Sequence, residues 1–341
     1  MAIAKKIKVM IVDDSLVFRE VIRRGLSSDP SIEVVAVAED PFDARDKILQ
    51  FNPDVMTCDV EMPRMNGIDF IRRLLPQYAL PIIVVSSVSE AVFDAMKAGA
   101  VDFETKPDVR SVRSVEIFIA ELINKIKIAS HAKVAGPETS QTEWRDPAKT
   151  PQVKDMGRII AIGASTGGTE AIYRILKALP LNTPGIVIVQ HIPPMFSRMF
   201  ADRLNQTCPL EVKEAQNGDI VEQGRVFIAP GDRHIRVKKT GDRFKLECFQ
   251  GDKVNGHCPS VDVLFESVAK EAGNRSIGVI LTGMGYDGAK GLLAMRRRGA
   301  RTIGQDEHSS VVYGMPKVAY EIGAVEKQTA LSDIPYLLMS T

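Results

Sequence analysis

Cysteine is scarce. The chain holds Cys58, Cys208, Cys248 and Cys258 in 341 residues, and no two form a C-x-x-C pair. Such scatter argues against a disulfide framework or a zinc site, and reduced thiols in a cytoplasmic protein are expected. A dominant charge is also missing: formal net charge is +1. No global field would draw in nucleic acid or an anionic membrane, and neither partner is expected. No run approaches the roughly 20 apolar residues that span a bilayer, so direct membrane insertion is not expected. Lysines mark residues 1–8, but no long apolar stretch follows before Asp13 and Asp14, and a secretory signal is not expected. Internal repeats and low-complexity tracts are absent.

What is present is an ordinary globular balance, 45% hydrophobic and 26% charged, in a length comfortable for two domains. Two regions alternate strand and helix patterns. In the first, β-branched runs recur at 7–12, 32–37, 54–58, 81–86 and 101–103. Between the first two, Phe18, Val21, Ile22 and Leu26 fall on one helical face. Five strands alternating with helices predict a doubly wound parallel sheet over 6–128. Residues 129–156 carry Pro137, Pro147 and Pro151 with little apolar patterning and read as a linker. The single tryptophan, Trp144, lies in it, either docked on a domain or exposed. The second region, 157–341, shows strand-like runs at 158–162, 185–190, 210–214, 225–229, 235–238, 244–248, 276–281 and 301–304. Helical patterns stand at 169–179, 195–206, 261–272 and 288–298. Its middle strands lack intervening helices, which predicts an α/β domain with a mainly parallel sheet and an antiparallel hairpin.

The first region collects charge at strand ends. Asp13 and Asp14, Asp59, Ser86 and Lys106 each follow or close a predicted strand. Parallel strands open their C-terminal ends on one edge, so these groups should share one crevice. Clustered carboxylates need a cation, and Mg²⁺ suits them. One carboxylate could then accept a phosphoryl group. An Asp after a strand is often only a helix cap; five such residues at their respective strand ends leave that reading remote. The segment resembles the response-regulator receiver family through Val12-Asp13-Asp14-Ser15, Asp59-Val60-Glu61-Met62-Pro63-Arg64-Met65-Asn66-Gly67, Val85-Ser86-Ser87 and Lys106-Pro107. The resemblance implies that Asp59 is phosphorylated by a histidine kinase. It also implies Mg²⁺ on Asp14, Asp59 and the Glu61 carbonyl, with Asp13 assisting through water. Ser86 and Lys106 would contact the phosphoryl group, and Phe103 would be the switch aromatic, turning inward when Asp59 is phosphorylated.

In the second region, Gly163-Ala164-Ser165-Thr166-Gly167-Gly168 follows a strand and opens a helix. A serine there sits where backbone N–H groups can stabilise an oxyanion. On this run alone, an esterase nucleophile and an anion-binding loop stand level. The dinucleotide and Walker patterns are not met. His191 and Asp287 also sit just past apolar strands. If those strands are parallel neighbours, Ser165 attacks, His191 relays the proton and Asp287 orients the imidazole. The order Ser, His, Asp disfavours an α/β-hydrolase. His257 adjoins Cys258 without zinc spacing, so no metal is expected there.

The region resembles the chemotaxis protein-glutamate methylesterase family, CheB. The shared strings include Gly163 to Gly168, Gln190-His191-Ile192-Pro193-Pro194, Pro259-Ser260-Val261-Asp262, Leu281-Thr282-Gly283-Met284-Gly285 and Gly314-Met315-Pro316. Cys258 and Tyr286 depart from what many members carry, which touches substrate preference more than chemistry. The resemblance implies methylated glutamates on chemoreceptor cytoplasmic domains as substrate, methanol as product, and glutamine deamidation as a second activity. It places Thr166 and the Met284 N–H at the oxyanion and asks for no cofactor in this domain. A degenerate binding module and a transcription factor are the rivals. The first is opposed by an intact Ser165, His191 and Asp287, the second by the lack of a basic helix-turn-helix pattern.

Overall fold

The computed structural model describes residues 5–87, 89–134 and 157–340. Trp144 and most of the expected linker lie outside these. The chain divides into two units, Met1–Gln141 and Thr142–Thr341.

The first unit begins β1 (Ile7–Val12), α1 (Leu16–Leu26), β2 (Ile32–Ala38), α2 (Pro41–Phe51), β3 (Val55–Asp59) and α3 (Gly67–Leu74). It continues β4 (Ile82–Ser86), α4 (Ser89–Lys97), β5 (Asp102–Thr105) and α5 (Val112–Ala129). The strands lie in the order β2-β1-β3-β4-β5, all parallel. β3 and β4 are buried along their whole length, as expected where helices cover both faces of a sheet. On α1, Ile22 and Leu26 are buried while Leu16 and Val17 face solvent, so the apolar face read from sequence is the inward one. β5 starts and ends later than the pattern at 101–103 indicated, because Glu104 and Thr105 pair with Val85 and Ser86. A ladder tolerates polar residues at its end, and propensity did not register them.

The second unit begins β6 (Ile159–Ala164), α6 (Gly168–Ala178), β7 (Gly185–Gln190), α7 (Pro194–Thr207), β8 (Glu211–Glu214), β9 (Ile220–Val221), β10 (Arg225–Ile228), β11 (His234–Thr240) and β12 (Arg243–Phe249). It ends with α8 (Val261–Glu271), β13 (Ser276–Ile280), α9 (Ala289–Arg297), β14 (Arg301–Gln305), α10 (Met315–Glu321), β15 (Lys327–Thr329) and α11 (Ile334–Met339). Seven strands form a parallel sheet ordered β15-β14-β13-β6-β7-β10-β8. The expected hairpin is β11–β12, to which the two-residue β9 adds a third antiparallel strand. β8 and β10, which also lack a helix between them, pair in parallel with each other.

The core of this unit sits between the sheet and α8, α9 and the β11–β12 hairpin. Phe227, Phe265, Leu264, Leu292 and Met295 are fully buried in it. Phe265 lies so close to Gly291 that a Cβ on the glycine would stand 2.6 Å from the Cβ of Phe265, which lets α8 and α9 approach closely. Phe265→Ala would leave a cavity at this junction. The expected cost is about 3–5 kcal/mol, read as a lower denaturant midpoint for the C-terminal transition of the full chain.

Candidate active site and phosphoacceptor site

β6 is flanked by β13 on one side and β7 on the other. The three strands that precede Ser165, His191 and Asp287 are thus adjacent and parallel, and all three residues emerge at one sheet edge. The register pairs Ala164 with Gln190, so Ser165 and His191 follow at equivalent positions on neighbouring strands, which run about 4.8 Å apart. Two links fix this step: the His191 N–H donates to Ala164 O at 3.1 Å, and Gln190 Nε2 donates to Ser165 O at 2.9 Å. On the other side, Ser165 N donates to Thr282 O at 3.0 Å. The turn into α6 uses Gly167 at φ 77°, a conformation that glycine adopts without a Cβ penalty. Gly283 answers a different need: a Cβ there would stand 2.7 Å from the Cβ of Ser165.

His191 Nε2 lies 2.9 Å from Asp287 Oδ2. The other ring nitrogen, Nδ1, is buried and has no hydrogen-bond partner among the described residues. The tautomer that satisfies the pair carries its proton on Nε2, leaving Nδ1 as a free lone pair. Asp287 is 1% exposed and accepts from four further donors. Ser260 Oγ stands at 2.7 Å and Asn255 Nδ2 at 2.8 Å from Oδ1, the Val261 N–H at 2.7 Å from Oδ2, and the Asp262 N–H at 3.3 Å from Oδ1. The last two N–H groups open α8, where the helix dipole favours an anion. Burial works against the charged carboxylate, yet the bonds from His191, Asn255 and Ser260 outweigh it and hold the Asp287 carboxyl well below the usual range. Asp262 lies beside it and moves the other way, raised by burial and by the Asp287 charge.

Of the two positions expected at the oxyanion, Thr166 is buried and its carbonyl accepts from Thr282 Oγ1 at 3.0 Å. The Met284 N–H makes no hydrogen bond among the described residues. The Met284 and Tyr286 side chains are exposed, so the loop between β13 and Asp287 presents an apolar rim.

Sequence reasoning missed Asn255 and weighed His257 only as a metal ligand. The His257 ring stacks on that of His191 with centroids 3.7 Å apart and planes 10° apart. Burial, then the neighbouring His191, push its pKa down to about 4. The signal that could have found this turn was Asn255-Gly256, a strong two-residue turn dipeptide.

In the first unit, Lys106 Nζ stands 2.6 Å from Asp59 Oδ2 and 2.8 Å from Asp13 Oδ2. Carboxylate oxygens of Asp13, Asp14 and Asp59 all lie within 4.8 Å of one another. Burial raises the Asp59 pKa, opposed by Lys106 and reinforced by Asp13. One ammonium cannot neutralise three carboxylates, and the all-oxygen donor set with Asp14 open to solvent suits a hard divalent ion that keeps waters. Ser86 is buried at the end of β4 and accepts the Lys106 N–H through its carbonyl at 3.1 Å. Glu61 follows β3, its N–H 3.2 Å from Asp59 Oδ1. Phe103 is 4% exposed, its ring 6.5 Å from that of Phe93. The Phe103 ring is thus buried in the core of the unit.

Residues 160–338 match the CheB methylesterase family model, and residues 9–114 match that of the response regulator receiver domain. The chain belongs to the CheB methylesterase family. A protein-glutamate methylesterase/protein-glutamine glutaminase of Syntrophomonas wolfei is 60% identical over 97% of this chain and 96% of its own. That of Escherichia coli K12 is 45% identical over 98% and 97%. The solved CheB methylesterase catalytic domain of Thermotoga maritima is 40% identical, covers 54% of this chain and 97% of its own, and superposes with a TM-score of 0.53.

A carboxyl whose folded pKa lies below its unfolded value, about 3.9, contributes stability that is complete above that value and lost as pH falls through the folded pKa. The urea midpoint of the C-terminal transition should therefore fall less steeply below about pH 4 in Asp287→Asn than in wild type. Parallel midpoint–pH curves would contradict the depressed carboxyl.

Proposed function

We propose that this chain hydrolyses glutamate methyl esters on chemoreceptor cytoplasmic domains, releasing methanol, and that phosphorylation of Asp59 in the receiver switches this activity. The observation that carries the esterase reading is an imidazole held on Nε2 by a buried carboxylate, with a buried Nδ1 left without a partner among the described residues, one strand away from a serine at a helix start.

On this reading Ser165 Oγ attacks the ester carbonyl carbon while its proton passes to His191 Nδ1. Nε2–H keeps its bond to Asp287, whose charge stabilises the imidazolium. The Met284 N–H, with Thr166 beside Ser165, faces the developing oxyanion. Collapse of the tetrahedral adduct expels the methoxy group, which takes the proton from Nδ1 and leaves as methanol. Water then attacks the acyl-serine, giving its proton to Nδ1; the glutamate acid departs and the proton returns to Ser165. A glutamine amide follows the same path with ammonia leaving, which makes deamidation a natural second activity and fits the names of the relatives. The loss of activity in Ser165→Ala is expected to be on the order of 10³-fold or more, read as methanol release from a methylated receptor fragment. A folded variant with near-wild-type turnover would sink the assignment.

In the receiver, Asp14, Asp59 and the Glu61 carbonyl would hold Mg²⁺, with Asp13 reaching it through water. The ion would supply charge neutralisation for phosphoryl transfer from a histidine kinase. Lys106 would pair with the phosphoryl oxygens, and Ser86 would donate to one of them. No helix among the described residues is long and apolar enough to cross a membrane. The proposed site of action is the cytoplasm, beside receptor tails. Beryllofluoride with Mg²⁺ should raise methanol release by wild type and leave Asp59→Asn unchanged. An equal response from both would remove Asp59 as the acceptor.

A further inference from the structure

The esterase reading uses His191 and Asp287 but leaves unexplained the two side chains pressed against them. Both come from one tight turn over residues 254–257. Val254 N donates to His257 O at 2.9 Å and His257 N returns the bond to Val254 O at 3.0 Å. The two central residues, Asn255 and Gly256, have φ 53° and 84°. That is a two-residue turn with both centres left-handed, a conformation Asn-Gly favours and most residues resist. Its two arms diverge onto the two members of the charge pair. Asn255 Nδ2 donates to Asp287 Oδ1 at 2.8 Å and to Asp262 Oδ2 at 2.7 Å. His257 lays its ring flat on His191.

We infer that the 254–257 turn is a positioning element for the proton relay: His257 fixes the plane of the His191 imidazole and Asn255 fixes the carboxylate that receives it. This rests on the esterase reading above. Three physical points support it. Flat stacking at 3.7 Å and 10° is not the arrangement aromatic rings choose for their own attraction, which favours offset or edge-to-face geometry; the backbone turn therefore imposes it. A ring so covered keeps its plane, and within that plane the bond of Nε2 to Asp287 sets which way round the imidazole sits. Finally, when His191 takes that proton, the face beside it must not carry charge. His257 meets this condition because burial and the neighbouring His191 disfavour its protonation. The charged groups that act on it are His191, Asp287 and Lys253; Asp287 alone pulls towards protonation.

Asn255 acts by shape and donors. It bridges two buried carboxylates whose charges would otherwise repel, and it holds Oδ1 of Asp287 so that Oδ2 remains for the imidazole. The third contact to Oδ1, from Ser260, shares that task. His257 and Asn255 are positioning residues, since neither needs to touch the substrate.

The test compares His257→Ala and His257→Phe in the full chain, with folding checked by circular dichroism. Methanol release from a soluble methylated receptor fragment gives kcat and KM, and NMR gives the ring-proton shifts of His191. A catalytic group misplaced by about 1 Å can cost on the order of 10²-fold, so kcat of His257→Ala should fall by about that factor with KM nearly unchanged. His257→Phe, which restores a flat uncharged ring, should recover about tenfold of the loss. The His191 ring protons should carry an upfield ring-current shift in wild type and in His257→Phe, and lose it in His257→Ala. A folded His257→Ala with kcat within about twofold of wild type, or a Phe variant as slow as the Ala variant, would overturn the inference. Should Ser165→Ala prove fully active, the esterase reading falls. The positioning claim is then judged on the ring shift: His191 resonances unmoved in His257→Ala overturn it, and resonances that move uphold the stacking.

Discussion

A carboxylate seated in a ring of donors at the start of a helix is the interaction on which the rest of the catalytic unit turns. Asp287 is nearly inaccessible, and an ionised carboxylate in such a place is costly unless every lone pair is met. Here the donors come from His191, Asn255, Ser260 and the first two N–H groups of α8. His191 follows β7, while the other donors all come from the segment 255–262 that leads into α8. α8 packs against α9 and the β11–β12 hairpin, so the position of the anion depends on the whole layer above the sheet. His191 is brought from β7 and Asp287 from beyond β13, two strands that β6 separates. Ser165 therefore follows the strand between those that carry His191 and Asp287, and a change in strand order would separate the three residues.

This dependence explains which parts were legible in the sequence. Ser165, His191 and Asp287 could be found because each follows a short apolar run, and a parallel sheet brings such positions to a common edge whatever its strand order. The same reasoning located Asp13, Asp59, Ser86 and Lys106. The runs themselves are legible because strands buried on both faces are nearly continuous in Val, Ile and Ala, as in Ile160-Ala161-Ile162 and Ile186-Val187-Ile188-Val189. Elements without such a signature escaped. β9 has two residues and β15 three, too short for any period to show. α10 and α11 are brief helices with Pro in the first turn. The parallel pairing of β8 with β10 was hidden because the segment between them holds the edge strand of another sheet in place of a helix.

Asn255 and His257 escaped for another reason. What gives them meaning is contact with residues distant in the chain, Asp287 for Asn255 and His191 for His257; the Asn255-Gly256 dipeptide marks the turn but not those contacts. Gly283 is similar: its necessity comes from the approach of Ser165, more than a hundred positions distant in sequence. Phe103 shows the limit of reasoning by resemblance alone. Its place in the sequence identified the aromatic, but only packing against Phe93 and Lys125 shows that the ring is buried.

The two units hold aspartates in opposite electrostatic states, and the contrast follows from what surrounds each. Asp59 has a raised pKa because burial and the Asp13 charge outweigh what Lys106 returns. Asp287 is more fully enclosed in donors than Asp59 and its pKa falls. The difference lies in the second charge. Asp287 has amide and hydroxyl donors that bring no competing anion apart from Asp262, and Asp262 is relieved by Asn255 and by the Gly291 N–H at 2.6 Å. Asp59 has two further carboxylates within reach of its own. A carboxylate satisfied by fixed dipoles is stable as an anion and can hold an imidazole indefinitely. A carboxylate crowded by like charge is stable as an anion only beside cations that answer the excess charge. The same side chain is thus a settled anion in one unit and a crowded one in the other. What separates them is whether the surrounding groups answer its charge or repeat it.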